Sequence, residues 1–338
     1  MSGKPWLTIV VPAYNVEKYL VECIESIETY SDDGVQVIVV DDGSTDRTPE
    51  ISDSLALVYE NLTVIHRENG GSPSARNAGF EQADGNWVWF VDSDDVISPY
   101  ALESLRVATA SLDCDAVQIQ FLRFANGDVP VWPTATSAEN AEILTSNDFL
   151  RGLYAGKFPH YMCSFLLRSD ALRGRNEHTT QERSRNDHHG WPFREDFSLY
   201  EDVVSVEELV RKFETVKILP EKLYGYRQIG SSMTHKRSNS AAESGLRAVS
   251  ELRNYDVPAE MVCDKQRMEL SLLFSAYKLV EDNDDATALK IRFDSEIRSR
   301  VKLLGVFRLG SPRLIRYVLY STGFMDRIID WRNRGSLF

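Results

Sequence analysis

The sequence predicts an α/β protein: a mostly parallel sheet flanked by helices, continued by a helical C-terminal extension. Three observations predict it. Over the first hundred positions, short runs of Val, Ile and aromatic residues alternate with longer stretches of helical period. The ends of the short runs, at 11, 40, 66 and 91, are spaced as βα repeats are. From Ser240 onward the chain reads as helix almost throughout. The 338 residues suffice for one large or two ordinary domains with real cores, and 43% hydrophobic with 26% charged residues is the composition of a globular chain.

The elements follow in order. Leu7–Val11 and Val35–Val40 are nearly continuous in hydrophobicity, as parallel strands buried on both faces are. Val16–Tyr30 and Thr45–Tyr59 carry helical period, with Ser44 or Thr45 the expected cap of the second helix. Leu62–His66 is the third strand, a helix beginning near Arg76 and Asn77 follows, and Trp87–Val91 is the fourth strand. Beyond Pro99 come a helix (Ala101–Ser111), a strand (Ala116–Phe124) and a turn at Asn126–Gly127. Residues 176–190 are polar without period and read as an exposed loop. The C-terminal helices break at Asn254–Pro258, Glu281–Asp285, Gly305–Pro312 and Gly323. The expected division is an α/β domain over 1–237 and a helical region over 238–338.

The net charge of −13 hides a split. Residues 290–338 carry +7 and the rest −20, an acidic body with a basic tail. The acidic body is a poor binder of nucleic acid, which needs clustered positive charge. Cys23, Cys114, Cys163 and Cys263 are far apart, so neither a zinc knuckle nor a redox pair is expected, and a reduced cytoplasmic chain is the simplest reading. The N-terminal stretch lacks the pattern of a signal peptide, and no run of 18 apolar residues occurs.

In an open parallel sheet, ligands bind outside the carboxyl ends of the strands. All four predicted strands end there in small or polar residues: Pro12-Ala13-Tyr14-Asn15, Asp41-Asp42-Gly43-Ser44-Thr45-Asp46, Asn69-Gly70-Gly71-Ser72 and Asp92-Ser93-Asp94-Asp95. Asp41, Asp42, Asp92, Asp94 and Asp95 crowd like charges on one rim, and a cation relieves that conflict. Carboxylates without His or Cys nearby favour a hard ion, Mg²⁺ or Mn²⁺, which binds few protein ligands and substrate phosphates besides. Neither G-x-G-x-x-G after the first strand nor G-x-x-x-x-G-K-[ST] occurs, which excludes a dinucleotide dehydrogenase and a P-loop NTPase.

Four segments in order, TIVVPAYN, VIVVDDGSTD, ENGGSPSARNAGF and WVWFVDSDD, resemble the family-2 glycosyltransferases of the GT-A (Rossmann-like) fold, over roughly residues 6–235. The resemblance implies an inverting, metal-dependent transfer from a nucleotide-sugar donor, a UDP-sugar foremost, to a glycan or lipid-linked acceptor in surface-polysaccharide or glycoconjugate assembly. It implies that Pro12, Tyr14, Asp41 and Asp42 hold the nucleotide, Asp42 foremost, with Gly71, Arg76, Asp92 and Ser93 also at the donor. Asp94 would bind the metal, and Asp202, on the first turn of a helix beside Glu201, would be the general base. The earlier pair Glu195-Asp196 is an alternative, disfavoured because the apolar run VVSVEELV follows Asp202. Ser232 and His235 would belong to a donor-covering or acceptor loop. No Q-x-x-R-W stretch follows the acidic pair, which departs from the processive synthases and favours single-sugar addition.

Blander readings accompany these. The Asp92–Asp95 run alone is an ordinary helix cap, Arg76 and Asn77 can merely anchor their loop, Asp202 can be a helix N-terminal acid, and His188-His189 can be solvated. Leu303, Leu304, Phe307, Leu314, Ile315, Val318, Leu319, Ile328, Ile329 and Trp331 interleave with arginines, so residues 303–338 suit either an anionic membrane surface or a second subunit. The expected location is cytoplasmic, with peripheral attachment to the inner face of the membrane where the tail takes the first of these roles. Two other functions remain as alternatives: a sugar-phosphate nucleotidyltransferase, which lacks its Gly-rich loop here, and a non-catalytic glycan-binding or scaffold module.

Overall fold

The computed structural model describes residues 3–32, 34–111, 113–133, 141–173, 193–197, 199–229, 237–281 and 286–304. Strands β1 (Leu7–Ala13), β2 (Val35–Asp41), β3 (Leu62–His66) and β4 (Trp87–Phe90) alternate with helices α1 (Leu20–Glu28), α2 (Thr48–Val58) and α3 (Ser72–Glu81). There follow β5 (Val96–Ile97), α4 (Ala101–Thr109), β6 (Ala116–Ala125), β7 (Glu142–Thr145), α5 (Ser146–Tyr154), β8 (Phe165–Arg168), α6 (Ser169–Arg173), α7 (Glu201–Lys212) and β9 (Thr215–Gln228). Helices α8 (Asn239–Arg253), α9 (Ala259–Tyr277) and α10 (Ala286–Leu304) close the described chain.

The sheet order is β3-β2-β1-β4-β8-β6-β9-β5, with β7 on β9. The first four strands are mutually parallel, with Ala13 level with Asp41 and Asp41 level with His66. Strands β5, β7 and β8 run against their neighbours, so the sheet is mixed, with a parallel N-terminal half. Chain order reverses between β1 and β4, and a crevice opens at such a switch point. The core of this half is mainly apolar, with Ile9, Val11, Val37, Val39 and Trp89 wholly inaccessible. Helix α3 approaches β1 and β2 so closely at Gly79 that an added Cβ would meet Val10 at 2.3 Å. A glycine there lets the later part of α3 lie directly on the two strands.

Two helices start later than their periodicity predicts. Helix α1 begins at Leu20 rather than Val16, because the backbone N–H groups of Asn15, Val16 and Glu17 donate to the side chains of Ser44, Thr48 and Asp46. Helix α2 begins at Thr48 rather than Thr45, and neither Ser44 nor Thr45 caps it. Their polar groups cross to Asn15, whose Oδ1 accepts from the Thr45 N–H at 2.8 Å. Asn15 itself adopts φ 53°, a left-handed conformation that Asn tolerates. The long helical periods thus gave way to side chains that tie the ends of β1 and β2 together.

By its contacts the chain divides into two units. The first comprises residues 1–150, 159–197 and 201–230 and holds the sheet. The second takes 231–338 together with Arg151–Phe158 and Ser198–Tyr200, segments that the sequence reading left in the α/β domain. Within it, Ser238 caps α8 by accepting from Ala241 N–H, and Leu246, Val249, Leu273, Phe274 and Phe293 pack α8, α9 and α10 together. Ser244 binds the backbone of Leu199 through both its groups, which accounts for that short segment joining this unit. The loop 176–190, Ser232, His235, Lys236 and residues 305–338 lie outside the described residues.

Candidate active site

The rim residues separate into those that build the crevice and those that face it. Pro12 is the last but one residue of β1, level with Val40, and Tyr14, two residues on, keeps 49% exposure. Asp41 is buried; its carboxylate accepts from Ser44 N–H at 3.1 Å and faces His66 Nδ1 at 2.9 Å. Asp42 is buried too. It accepts from the N–H groups of Gly70 and Gly71, at 3.0 and 2.7 Å, and pairs with Arg67 at 3.2 Å. Asp42 therefore folds the Asn69–Gly71 loop beneath the crevice, and Gly71 occurs there because φ is 86° at the start of α3.

After β4, Asp92 and Asp94 face the crevice while Ser93 and Asp95 turn inward and are buried. Asp95 accepts from the Tyr224 hydroxyl at 2.6 Å and the Arg227 N–H at 2.7 Å, and Arg227 Nε donates to the Asp94 carbonyl at 2.8 Å. The Tyr224 hydroxyl also accepts from Asp92 N–H at 3.1 Å. Strand β9 thereby fixes the whole Asp92–Asp95 turn. Burial, opposed by these bonds, pushes the Asp95 carboxyl well up.

Arg76, on the first turns of α3 and only 4% exposed, joins this turn to α7. Its Nη2 reaches Asp92 at 3.0 Å and its Nη1 reaches Asp202 at 2.7 Å, with Glu201 at 3.6 Å. Burial alone would depress the guanidinium, but Asp202, Asp92 and Glu201 overcome it and hold Arg76 more firmly protonated. The other oxygen of Asp202 accepts from Met162 N–H at 3.0 Å. Asp92 is raised by burial against the opposing pull of Arg76, and Glu201 is raised to about 7 by burial and by Asp202. Glu195 and Asp196 lie elsewhere: Glu195 accepts from Ser74 and Asn77 of α3 at 2.9 and 2.8 Å, and Asp196 pairs with Arg194 at 3.0 Å.

Sequence reasoning did not find the Arg76 bridge, nor the roles of Tyr224 and Arg227. It also missed His160. That imidazole is half-buried, its Nε2 is closed off from water without a partner, and burial, partly opposed by Asp202, lowers its pKa to about 4. No sequence pattern marked it.

The donor set suits a hard divalent ion. Asp94 takes no hydrogen bond from any other described side chain, and burial followed by the Asp92 charge raises its carboxyl to about 6. A cation beside it would lower it again. Among the described residues no group of three or more His, Cys, Asp or Glu is arranged to hold an ion. The protein would thus supply one or two oxygens, leaving the rest to phosphates and water, the ligand set that Mg²⁺ and Mn²⁺ accept.

The family model of glycosyl transferase family 2 matches residues 8–173. The Bacillus subtilis uncharacterized glycosyltransferase EpsJ is 32% identical over 235 residues, 68% of this chain and 63% of that protein. The Streptococcus pneumoniae glycosyltransferase GlyG is 37% identical over 123 residues, 36% of this chain and 41% of that one. The chain thus spans less than two thirds of the length of these relatives. Among solved structures, Staphylococcus aureus TarS in complex with UDP-GlcNAc superposes with a TM-score of 0.65 at 21% identity, over 95% of this chain and 91% of that one. The mannosyltransferase PcManGT of Pyrobaculum calidifontis, in complex with GDP-Man and Mn²⁺, follows at 0.55 and 16%, over 97% and 87%. At these identities the structures speak to the fold alone, and it is the GT-A fold. Four strand-end motifs on one rim and the match over their whole span agree: over residues 8–173 the α/β unit carries a glycosyl transferase family 2 domain.

Proposed function

We propose that the chain is an inverting, metal-dependent glycosyltransferase that adds single sugars from a nucleotide donor, a UDP-sugar foremost, to a hydroxyl of a glycan or lipid-linked acceptor in cell-surface polysaccharide or glycoconjugate assembly. The observation that carries this reading is the Asp92–Arg76–Asp202 bridge, which sets a second carboxylate opposite the aspartate turn at the sheet's switch point. The UDP-GlcNAc bound to TarS, and the teichoic acid biosynthesis protein GgaB of Bacillus subtilis among the relatives, support the donor and context.

In this reading Tyr14 and Pro12 receive the nucleotide above the loop that Asp42 folds. Asp94, with Asp92 beside it, would hold Mg²⁺ or Mn²⁺. The ion, when bound, neutralises charge on the departing diphosphate. Asp202 is the general base: the acceptor oxygen bonds to the anomeric carbon as the bond to the diphosphate oxygen breaks, and the hydroxyl proton passes to the Asp202 carboxylate. Attack opposite the leaving group inverts that carbon. Arg76 and Met162 N–H hold the two oxygens of Asp202, so the base is oriented before the acceptor arrives.

A panel of nucleotide sugars with Mn²⁺ tests this. Transfer or slow donor hydrolysis is expected, with Asp94→Ala abolishing it and Asp202→Asn lowering kcat by roughly 10²–10⁴. Full turnover in Asp94→Ala sinks the metal assignment, and full turnover in Asp202→Asn sinks the base.

A further inference from the structure

Three aromatic side chains on the far side of the aspartate turn have no part in the mechanism above. Phe121 lies on β6, Tyr161 just before the short turn Met162–Ser164 that leads into β8, and Tyr226 on β9. The rings of Tyr161 and Tyr226 are parallel within 9°, with centroids 6.2 Å apart. Phe121 meets both edge-on, at 5.7 and 6.2 Å, and the Arg123 guanidinium lies 5.3 Å over the Phe121 ring. Ordinary core packing would bury such a cluster, as it buries Phe149 against Phe165. Tyr161 instead keeps 43% exposure, although its neighbours Met162 and Cys163 are buried.

The position of the cluster narrows what it can receive. In the sheet, Tyr14 and the Asp42-held loop follow the ends of β1, β2 and β3, on one side of β4, whereas Phe121 and Tyr226 lie on β6 and β9 and Tyr161 on the segment entering β8, on the other. The nucleotide half and the aromatic half are thus separated by the aspartate turn. The aromatic half adjoins Asp202, because Met162, next in the chain to Tyr161, gives its N–H to that carboxylate. Tyr226 stands next in the chain to Arg227, whose N–H bonds Asp95 at 2.7 Å, so that ring lies beside the acidic turn as well.

We propose that Tyr161, Tyr226 and Phe121 form a stacking platform for a pyranose ring of the acceptor, which presents the attacking hydroxyl of that ring to Asp202. The proposal rests on the transferase reading. A pyranose offers a flat face of C–H groups to aromatic rings and keeps its hydroxyls at the edge, which suits sites lined by aromatic groups with few polar ones. Asp92, Asp94 and Asp202 disfavour an anionic group at the same place. An open-chain polyol has no rigid C–H face and loses more freedom on binding, so a ring is preferred over it.

The test uses the full-length protein, and its probes are methyl glycosides of glucose, galactose, mannose and N-acetylglucosamine, with ribitol and glycerol as open-chain comparisons. Saturation-transfer NMR is expected to show at least one pyranoside bound, with the protons of one ring face most affected. Tyr161→Ala should weaken that binding tenfold or more, and Tyr161→Phe, which keeps the ring, should stay within about threefold of wild type. A thermal melt of each variant within a few degrees of wild type separates loss of the platform from loss of the fold. Binding of no pyranoside, equal binding of ribitol, or indifference to Tyr161→Ala overturns the proposal. Nucleotide-sugar turnover is measured in parallel: pyranoside binding that depends on Tyr161 in a protein without turnover keeps the platform and sinks the transferase reading, and the reverse pattern sinks only the platform.

Discussion

Arg76 is the residue on which the site turns. It carries one positive charge among three carboxylates, at 4% exposure, and its neighbours Asp92 and Asp202 keep 31% and 21% of theirs. Removing one partner of a fully buried pair costs about 3–5 kcal/mol, and this remaining access to water discounts the figure. Arg76→Met is therefore expected to lower stability by roughly 1–3 kcal/mol in urea unfolding and to lower kcat by disordering Asp202. His160 supplies a pH dependence. Its folded pKa of about 4 lies below the ordinary 6.5, so between these values the unfolded chain binds a proton that the native protein refuses. Stability accordingly falls as pH drops from 6.5 toward 4, by about 2 kcal/mol at pH 5 from this group. Urea melts at pH 7.5 and 5 should show a difference smaller by about that amount in His160→Leu. An unchanged difference would mean that the imidazole charges freely in the folded state. Asp94 and Asp202 were legible as residues, since acids after a strand or opening an apolar helix stand out in the chain. His160 was not, because its burial comes from neighbours brought together only by folding.

Among the elements, strand β9 does the most for the site. It runs beside β6 for nearly its whole length and, at its far end, uses Tyr224 and Arg227 to hold the aspartate turn. Tyr224→Phe removes the hydroxyl that joins Asp95 to the Asp92 N–H and leaves buried polar groups without that partner, a loss of about 1–3 kcal/mol. We expect that loss in unfolding experiments, together with weaker Mn²⁺ binding followed by electron paramagnetic resonance. Wild-type Mn²⁺ affinity in the variant would separate the turn's geometry from ion binding. The long span of β9 was partly hidden in the sequence, because Pro220 and Gly225 interrupt its apolar pattern. The late starts of α1 and α2 were hidden for the opposite reason: their periodicity was real, but side chains of the two facing segments, 15–17 and 44–48, claimed each other's backbone N–H groups.

At the scale of the whole molecule, the charge of −13 resolves into an acidic α/β unit and a basic tail. Among the described residues no helix is long and apolar enough to cross a membrane. We propose that residues 303–338 meet an anionic surface, each basic side chain near it contributing about 1 kcal/mol. Flotation with phosphatidylglycerol-containing liposomes should lose the protein when those residues are deleted; flotation that survives the deletion points to another surface. By itself the sequence determined the parallel half of the sheet, the rim on which the candidate residues gather and the likeness to the family, because buried parallel strands demand apolar runs and the polar residues after them follow chain order. The tertiary structure alone decided which acids act together. It paired Arg76 with Asp202 across 126 positions, seated Glu195 on α3, and brought the rings of Phe121, Tyr161 and Tyr226 together. Such pairings depend on how loops and strands pack, and no local pattern in the chain encodes a partner so far away.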